Sequence, residues 1–430
     1  MKVLMFGWEF PPHISGGLGT ACQGITQGLT ANDVDVLFVI PKANGDEEQG
    51  SIKVLGAADV PLSAPQQENA KFREAMTFFE VNCPVIPYLG PEEFCRYSEA
   101  RTELLQAKAT TTSPVRYPFT GGYGKDLMKE VWQYALVATA IARGNAHDII
   151  HAHDWLSFPA GIMAKEVSGK PLVVHVHATE FDRSGENINM QVYETERQGM
   201  LQADRIIAVS ELTRRTIIDR YFIDPEKVET IHNALETATV LPERRKAPFR
   251  EKIVSFIGRI TYQKGPGHFI DAAAKILAKD KGFRFIMAGS GDMMFAMIEK
   301  AARLRISRYI HFTGFLDATQ RDKLLAASDV FVMPSVSEPF GIVPLEAIKA
   351  GVPVIVTKQS GVQEVLQYAL KTDWWDTDAL AESIYSLASY NGLSRMLSRE
   401  SRREVANLRW EKQGNVIREL YQRVMDEKHQ

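Results

Sequence analysis

Hydrophobic positions along the chain follow two alternating patterns. Short apolar runs rich in β-branched residues predict ten strands, at 2–6, 34–40, 148–152, 171–177, 205–210, 252–258, 283–289, 309–314, 329–334 and 352–357. Stretches with helical spacing of apolar residues predict helices at 17–31, 126–143, 266–279, 319–327, 378–389 and 409–425. Apolar strands that alternate with helices are typical of parallel sheets buried on both faces, so the predicted fold class is α/β.

The alternation of strands and helices is interrupted once, at the polar, proline-containing stretch 236–250. The chain has 430 residues, too many for one hydrophobic core, so two domains of roughly 200 residues each are expected. We therefore predict one domain over 1–240, a second over 241–408 and a final amphipathic helix within 409–430. Both domains are predicted to be doubly wound, with ligands bound beyond the carboxyl ends of their strands.

Composition and charge narrow the range of partners. The net charge is −3, so the chain lacks the excess of basic residues that is typical of nucleic-acid-binding proteins. The same charge argues against tight docking on anionic membranes. No run approaches the roughly 20 apolar residues that a membrane span needs, and the N-terminal apolar run is too short for a signal segment. Cys22, Cys83 and Cys95 lack paired or metal-ligand spacing, so a cytoplasmic location is expected.

The stretch 335–356, SVSEPFGIVPLEAIKAGVPVIV, places one glutamate on each side of a predicted turn from a strand into a helix. Pro344 suits the first turn of that helix, and Gly351 suits its C-terminal stop. Backbone amides at the start of the helix would then point at a phosphate, at Phe340, Gly341 and Ile342. Because a phosphate repels carboxylates, Glu338 and Glu346 are better placed on sugar hydroxyls. Two solvated glutamates at a helix start are the alternative.

Two more loops follow predicted strands and precede predicted helices. GRITYQKG at 258–265 carries Arg259 and Lys264, two cations suited to clamp a diphosphate and to stabilise its charge as it leaves. PPHISGGLGT at 11–20 opens a helix with Gly16 and Gly17, although it fits neither a Walker A sequence nor a dinucleotide fingerprint. Taken alone, each stretch is also explained as an ordinary surface loop. Glu9 lies just before the glycine loop, at a strand end.

Histidines cluster at two successive strand ends. The cluster consists of two short segments, HAHDW at 151–155 and HVHATE at 175–180. Alternate residues of a strand share a face, so these imidazoles could form a metal site, and a metallohydrolase is one alternative. No His-x-x-x-His helix motif or matching acidic cluster follows, and packing against the sheet explains some of these histidines. We therefore predict no metal.

Together these motifs resemble those of the retaining GT-B glycosyltransferases, above all family four and the related bacterial glycogen and starch synthases. The likeness covers nearly the whole chain, in the family's order: the Gly-Gly-Leu loop, HAHDW, GRITYQKG, the pair Glu338 and Glu346, and the last helix. It implies two Rossmann-like domains that face each other across a cleft. The first would lie on the acceptor side, the second would bind the nucleotide sugar, and the last helix would cross back to the first.

The resemblance also implies roles for individual residues. Glu338 would face the donor sugar and assist the reaction, Glu346 would bind the ribose, and Glu9 would lie on the acceptor side. Asp154 and His177 would line the donor sugar as further catalytic residues. The remaining donor contacts would come from Gly16, Gly17, Arg259, Lys264, Gly314, Phe315, Phe340, Gly341 and Ile342. Retention would follow front-face attack, with the leaving phosphate accepting the acceptor's proton and no carboxylate nucleophile, metal or cofactor taking part.

Two departures from the glucan synthases bear on the acceptor. Ile14 and Ser15 stand where those enzymes usually have Lys-Thr, and ALKTDWWDTD at 369–378 replaces a glycine-rich segment. We predict transfer of a hexose, first of all glucose, from ADP-glucose or UDP-glucose to an α-glucan or related saccharide. A lipid-linked or small-molecule acceptor is the main alternative. A GT-B epimerase or phosphorylase, or a nucleotide-sugar-binding module without catalysis, is the other.

Overall fold

The computed structural model describes residues 1–13, 16–47, 52–62, 116–124, 126–235 and 251–429. These residues form two parallel sheets, one of seven strands and one of six. Helices cover the sheets, so the predicted α/β class with two Rossmann-like units is confirmed. The stretch 236–250, where we place the boundary between the domains, lies outside the described residues.

The first sheet has the strand order β3-β2-β1-β4-β5-β6-β7. Its strands are β1 (Lys2–Phe6), β2 (Asp35–Ile40), β3 (Lys53–Gly56), β4 (Ile149–His153), β5 (Leu172–Val176), β6 (Arg205–Ala208) and β7 (Val228–Thr230). The helices between them are α1 (Gly17–Thr30), α2 (Leu127–Gly144), α3 (Phe158–Ser168), α4 (Glu180–Ser184), α5 (Met190–Gln202) and α6 (Glu211–Tyr221). Strands β4 and β5 are buried along their whole length, as continuous apolar runs require.

The second sheet has the strand order β10-β9-β8-β11-β12-β13. Its strands are β8 (Lys252–Ile257), β9 (Phe283–Ala288), β10 (Ile310–Gly314), β11 (Val330–Met333), β12 (Val354–Thr357) and β13 (Leu370–Thr372). The helices that follow β8 are α7 (Pro266–Lys279), α8 (Met294–Arg303), α9 (Ala318–Ala327), α10 (Val343–Lys349), α11 (Thr377–Ser389), α12 (Asn391–Val405) and α13 (Trp410–His429). Among the described residues, no helix combines enough length and hydrophobicity to cross a membrane.

Each sheet reverses its direction of growth once, between β1 and β4 in the first sheet and between β8 and β11 in the second. At such a reversal the loops leaving the two neighbouring strands turn to opposite faces and leave a crevice between them. The candidate motifs of the sequence follow these four strands: the glycine loop follows β1, HAHDW spans the end of β4, GRITYQKG follows β8, and SVSEPFG follows β11. The topology therefore places all four motifs at crevices.

Helix α13 returns from the second sheet to the first, where it packs against α1. The contact is close enough that side chains are excluded at the crossing. A Cβ atom at Gly24 would lie 2.1 Å from the Trp410 ring, and a Cβ atom at Gly28 would lie 2.1 Å from the Trp410 carbonyl oxygen. A Cβ atom at Gly414 would lie 2.2 Å from the Gly28 carbonyl group. Glycines on both helices thus let the two backbones touch.

The predicted elements are all present, and their ends differ from the prediction by few residues. The prediction 205–210 overran strand β6 because Ser210 instead caps helix α6, accepting the Thr213 amide at 3.0 Å. Three strands of three or four residues were missed, β3, β7 and β13. Five full helices, α3, α5, α6, α8 and α12, and the short α4 were also missed.

Candidate active site

The loop after β11 is held against the loop after β12 by backbone hydrogen bonds. The Glu338 amide donates to the Gln359 carbonyl at 3.0 Å, and the Gly361 amide donates to the Glu338 carbonyl at 2.9 Å. Gly341 has φ +100°, a conformation that favours glycine, and a Cβ atom there would lie 2.9 Å from Met333. Glu338 is therefore fixed by its backbone at the crevice, with a side chain only 8% exposed.

Lys264 and Glu338 form an ion pair between the β8 and β11 loops. The hydroxyl of Ser335 donates to the same carboxylate oxygen of Glu338 at 3.1 Å. Both charged side chains are largely buried, so the pair is shielded from solvent far more than a surface salt bridge. The structure thus joins two residues that the sequence analysis assigned separately, to the diphosphate and to the sugar.

Arg259 does not join the Lys264–Glu338 pair. Its side chain is exposed, and its guanidinium contacts the side-chain oxygen of Gln263 at 3.3 Å. The Gln263 carbonyl accepts the Val336 amide at 2.8 Å, which ties the β8 loop to the β11 loop. Arg259 is therefore a cation held by its loop at the rim of the crevice and open to an incoming anion.

Glu346 lies in the first turn of α10, which has its proline in that turn as predicted. Its carboxylate contacts Arg321 of α9 at 2.9 Å, and its second oxygen is buried and has no hydrogen-bond partner among the described residues. Burial raises the pKa of this carboxyl group above its usual range, while the nearby Arg321 acts in the opposite direction. The unpartnered oxygen is where a donor hydroxyl would satisfy a buried acceptor.

Gly314 and Phe315 lie at the end of β10, on the same edge of the second sheet. The Gly314 carbonyl accepts the Gly289 amide at 2.8 Å, which holds the β9 and β10 loops together. The Phe315 ring is 70% exposed and so presents an open aromatic face at this edge. The structure brings neither residue into contact with Lys264 or Glu338 through any interaction among the described residues.

Asp154 follows β4 with φ 59°, a left-handed conformation that aspartate tolerates better than most residues. Its carboxylate accepts the backbone amides of His177 at 2.7 Å and Ala178 at 3.3 Å. Burial raises the pKa of Asp154 to about 6, and Arg183 and the two amides oppose that rise. Asp154 thus fixes the backbone of the β5 loop, and so the position of His177.

Asp154→Asn is expected to flatten the dependence of stability on pH. The folded-state pKa of Asp154, about 6, lies above its unfolded value of 3.8, so wild-type stability is lost as pH rises through this window. Asparagine keeps an acceptor for both amides and does not titrate. Between about pH 4 and pH 6 the free energy of unfolding of the variant should rise relative to that of wild type, by on the order of 2 kcal/mol. The melting temperature of the variant should rise correspondingly.

The measurement is thermal unfolding of both proteins across this pH range. Asp219→Asn, at an exposed carboxylate, serves as the control and should keep a constant difference from wild type. A constant difference for Asp154→Asn as well would contradict the assignment of a raised pKa to Asp154.

His177 is the outermost of four imidazoles on one face of β4 and β5, with His151, His153 and His175 behind it. Its Nε2 atom lies 3.0 Å from Nδ1 of His153, and Nδ1 of His151 lies 2.5 Å from the Tyr421 hydroxyl of α13. Burial lowers the pKa of every one of these histidines. They are therefore neutral near pH 7, and His177 is suited to hydrogen bonding rather than to carrying charge.

The same imidazoles are one of three groups of described side chains that lie close enough together to hold a metal; the others are Cys22, His153 and His177, and His13, Asp46 and Glu47. Ring nitrogens of His151, His153 and His175 all lie within 4.8 Å of one another. However, the rings of His151 and His175 are only 8° from parallel, and those of His175 and His177 only 14°. Lone pairs lie in the ring planes, so parallel rings do not converge on one ion as tetrahedral ligation requires. The arrangement favours packing on the sheet, and the absence of a metal stays a prediction.

Glu9 and the glycine loop lie together after β1. The Gly19 amide donates to one Glu9 oxygen at 3.2 Å, and the Tyr123 hydroxyl donates to the other at 3.3 Å. Gly16 and Gly17 have no atom within 4 Å of an added Cβ, so the space in front of this loop is open. The loop therefore leaves room for a ligand at the start of α1.

A direct contact joins the loops of the two sheets. The Ser337 hydroxyl, next to Glu338, donates to the Asp182 carboxylate at 2.6 Å. Asp182 also accepts the Thr179 amide at 2.7 Å and so caps the helix that follows the His177 loop. This contact places the loops of His177 and Glu338 on facing sides of one cleft.

Sequence reasoning missed several residues that support this cleft. Arg183 donates to the Ala178 carbonyl at 3.0 Å and to Glu196 at 2.7 Å, directly behind Asp154. Burial raises the pKa of Glu196 to about 7, although Arg183 and a hydrogen bond from Tyr221 oppose this. Charged residues in the segment 178–200 were the available signal, but their spacing alone does not reveal a partner.

Comparison with known proteins agrees with this geometry. The family "Glycosyltransferase Family 4" matches residues 96–239, and "Glycosyl transferases group 1" matches residues 239–404. An uncharacterized glycosyltransferase of Methanocaldococcus jannaschii is 27% identical over 94% of this chain and 93% of its own. A glycogen synthase of Mycobacterium tuberculosis is 24% identical over 98% of this chain and 94% of its own.

Two further proteins extend the comparison. A D-inositol 3-phosphate glycosyltransferase of Salinispora tropica is 29% identical over 66% of this chain and 66% of its own. The solved structure of sucrose-phosphate synthase from Thermosynechococcus elongatus superposes with a TM-score of 0.73 at 17% identity, covering 99% of both chains, which shows the shared fold. Fold, cleft and matches together define a nucleotide-sugar-dependent glycosyltransferase of the GT-B fold. The chain belongs to the family-four type of these enzymes.

Proposed function

We propose that this protein is a retaining glycosyltransferase that moves glucose from UDP-glucose or ADP-glucose to an α-glucan or a related saccharide. The observation that carries the proposal is the Lys264–Glu338 ion pair, which faces the His177 loop across the Ser337–Asp182 contact. A cation, a carboxylate and a neutral imidazole then surround one space between the sheets. This is the set of groups that a departing nucleoside diphosphate and a sugar need.

Arg259 and Lys264 would hold the donor diphosphate. Arg259 stands exposed at the rim, whereas Lys264 is engaged by Glu338, so the donor would meet Arg259 first. As the diphosphate reaches Lys264, its larger negative charge competes with the single carboxylate of Glu338. The two cations would then stabilise the charge that develops on the leaving group. Gly16 and Gly17 would face the diphosphate from the first domain, where their loop is open.

Glu338 would turn to the hydroxyls of the donor sugar once Lys264 binds phosphate. The amides of Phe340, Gly341 and Ile342 would lie beside it, and the buried free oxygen of Glu346 would accept a hydrogen bond from the ribose. Gly314 and Phe315 would contact the base at the sheet edge. In this scheme the acceptor hydroxyl attacks from the face that the diphosphate leaves, and the leaving phosphate takes its proton, so no carboxylate acts as nucleophile.

On the other side of the cleft, His177 would donate a hydrogen bond to the donor sugar. Its low pKa keeps it neutral, and its bonded contact with His153 fixes the orientation of its ring. Asp154 would act through the two amides that it holds, as a positioning residue and as part of the sugar pocket. Glu9, held by Gly19 and Tyr123, would lie on the acceptor side.

An α-glucan acceptor is supported by the glycogen synthase relative, which aligns over nearly the whole chain. The alternative, a small-molecule or lipid-linked acceptor, is supported by the inositol phosphate enzyme, which aligns over a smaller share of both chains. The lack of paired spacing among Cys22, Cys83 and Cys95 of this chain supports a cytoplasmic location. The proposed reaction needs no cofactor besides its substrates.

The test is release of nucleoside diphosphate from UDP-glucose and from ADP-glucose, each measured with glycogen, with maltooligosaccharide and without acceptor. We expect one donor to be used and its turnover to rise at least tenfold with a glucan. The anomeric configuration of the product, followed by proton NMR, should be α.

Turnover that glucan does not change, but that inositol phosphate stimulates, would replace the proposed acceptor with the small-molecule alternative. A β-linked product would overturn the retaining mechanism. Absence of turnover with either glucose donor, combined with tight UDP binding, would reject glucose as the transferred sugar.

A further inference from the structure

Helix α12 carries four arginines on one face. Positions 395, 399, 402 and 403 are spaced i, i+4, i+7 and i+8, which brings their side chains to a single stripe along the helix. The opposite face is buried against the second domain through Leu397, Ser401 and Val405. The arginine stripe therefore points away from the core and is exposed.

The stripe lines a groove with a volume of about 520 Å³. The groove is formed by Arg395, Ser398, Arg399, Arg402, Arg403 and Ala406 of α12, together with Gly351 at the end of α10. Gly351 has φ +80°, and a Cβ atom there would lie 2.4 Å from the Arg402 guanidinium. The missing side chain at Gly351 thus lets the Arg402 guanidinium lie over the end of α10, where both residues line the groove.

Charge in the groove is not balanced by the protein. Glu400 contacts Arg399 at 2.8 Å and Arg403 at 2.9 Å, and these two arginines hold the pKa of Glu400 below its usual range. Within the described ranges, Arg402 makes no hydrogen bond or ion pair to a carboxylate. Glu400 is therefore paired with two of the four arginines, and no carboxylate among the described residues lines the groove itself.

A buried polar atom in the groove also lacks a partner. The Oγ atom of Ser398 is inaccessible to solvent and makes no hydrogen bond to any described residue. A buried hydroxyl without a partner is unfavourable, and such groups in proteins are usually satisfied by a ligand or by water. The hydroxyl and the unpaired Arg402 lie in the same groove, which points to an anionic acceptor of hydrogen bonds.

Helix stability does not explain the arginine stripe. Like charges spaced i, i+4 on a helix repel each other, as Arg395 does Arg399 and as Arg399 does Arg403. Interaction with the helix dipole favours cations only in the last turn, which accounts for Arg402 and Arg403 but not for the other two. The stripe is thus better explained by what it binds.

We propose that this groove is a binding site for a phosphate monoester, separate from the donor site. Guanidinium groups bind the oxygens of a phosphate in pairs, and the volume fits a phosphorylated sugar or a headgroup of similar size. The same chemistry is offered by a free sugar phosphate and by a phosphorylated lipid headgroup. The proposal does not depend on the proposed function, since the groove lies at the end of α10 opposite to Phe340 and Glu346.

The test is isothermal titration of the full chain with a hexose 6-phosphate, performed with the donor site saturated by UDP. We expect one saturable site per chain, with no comparable binding of the unphosphorylated hexose. Arg402→Ala and Arg399→Ala should each weaken binding by about tenfold or more. Arg418→Ala, at an exposed arginine of α13, is the matched control and should leave binding unchanged.

Two variants separate a built site from a general basic surface. Ser398→Ala should weaken hexose phosphate binding severalfold, because the bound phosphate would lose the hydrogen bond that the Ser398 hydroxyl donates. Glu400→Gln should strengthen it, because Arg399 and Arg403 are then released from their carboxylate. Opposite effects of these two substitutions are not expected of a surface that attracts anions only by its net charge.

Vesicles identify the source of the phosphate. Flotation is measured with neutral vesicles and with vesicles that carry phosphatidic acid, to distinguish a lipid headgroup from a free sugar phosphate. Binding to the phosphatidic acid vesicles that is lost in Arg402→Ala assigns the site to a headgroup. Hexose phosphate binding without flotation assigns it to a free metabolite. If neither ligand binds, or if binding is equal in Arg402→Ala, Arg399→Ala and wild type, the proposal is wrong.

Discussion

Lys264→Ala is expected to lower kcat for sugar transfer by about a thousandfold, the size of effect seen when a donor that stabilises developing charge is removed. The departing diphosphate would lose one of its two cations at the moment its charge increases. Affinity for UDP should fall much less, by about tenfold, because Arg259 still binds the ground-state anion. The measurement is kcat from diphosphate release together with UDP titration.

Lys264→Ala should also affect stability, and a second substitution at its partner Glu338 separates this effect from the effect on kcat. Removing the lysine leaves the Glu338 carboxylate buried without its cation, and an uncompensated buried charge destabilises a protein by about 3–5 kcal/mol. Lys264→Ala should therefore also lower the melting temperature. The double variant Lys264→Ala/Glu338→Gln should regain most of that loss, because no buried charge is left, while its kcat stays as low as in the single variant.

The double-mutant cycle decides whether the pair exists in solution. Strong non-additivity in stability is expected for residues in contact, whereas independent residues give additive effects. Lys279→Ala, at an exposed position of α7, is the control and should change neither kcat nor stability. Additive stability effects of Lys264→Ala and Glu338→Gln would contradict the ion pair, and a kcat close to wild type in Lys264→Ala would contradict the role of the lysine.

The pair gives the free enzyme a defined resting state. Without donor, Lys264 is neutralised by Glu338, and the carboxylate has no other cation among its described contacts. Under the proposed function, a bound diphosphate draws Lys264 away and frees Glu338 for the sugar. Binding of the donor diphosphate to Lys264 would thus free Glu338 to bind the donor sugar, because Lys264 cannot bind both the diphosphate and Glu338.

The sequence was sufficient for the elements that position the site. Apolar β-branched runs mark β1, β4, β8 and β11, and a parallel sheet must place the loops after them at one edge. Pro344 marks the start of α10, because proline suits the first turn of a helix. Gly351 marks its end, because it adopts φ +80° just after the last turn. These are local constraints, and a single stretch of chain expresses them fully.

Contacts between distant stretches could not be predicted in the same way. Lys264 and Glu338 are 74 positions apart, and their contact depends on β8 lying next to β11 rather than next to β10. Ser337 and Asp182 meet only because the two sheets face each other at one particular orientation. Neither residue type nor spacing carries that information. The resemblance to a family suggested a cleft but named neither contact.

The missed elements have two physical explanations. Strands β7 and β13 have three residues each and lie at sheet edges, so they are too short for a periodic pattern and need only one apolar face. Helices α5 and α6 did carry a signal that was overlooked. Asn189 and Ser210 precede them and accept amides of the first turn, as residues favoured at that position do.

Trp410→Ala is expected to destabilise the first domain by about 3–5 kcal/mol, the usual effect of removing a buried aromatic side chain. Trp410 is 7% exposed, and its ring lies against Gly24 of α1, so its removal would leave a cavity between the two helices. Helix α1 begins at Gly17, in the glycine loop, so loosening α13 also frees a loop that faces the donor. We therefore expect a raised KM for the nucleotide sugar as well.

The measurement combines urea unfolding with hydrogen exchange of α1 and α13. Faster exchange in both helices should accompany the lower stability, while β8 to β13 keep their protection, because they belong to the other sheet. Val416→Ala, at a position of α13 that is 41% exposed, is the matched control and should change stability by less than about 0.5 kcal/mol.

Gly28→Ala tests the same contact from the other helix. An added methyl group would lie 2.1 Å from the Trp410 carbonyl oxygen, a backbone atom that cannot rotate away, so the whole of α13 would have to move. We expect a loss of stability comparable with that of Trp410→Ala, and no recovery when the two substitutions are combined, because the clash is with the backbone. Recovery in the double variant would show that α13 is held by the indole ring alone and not by the close approach of the two helices.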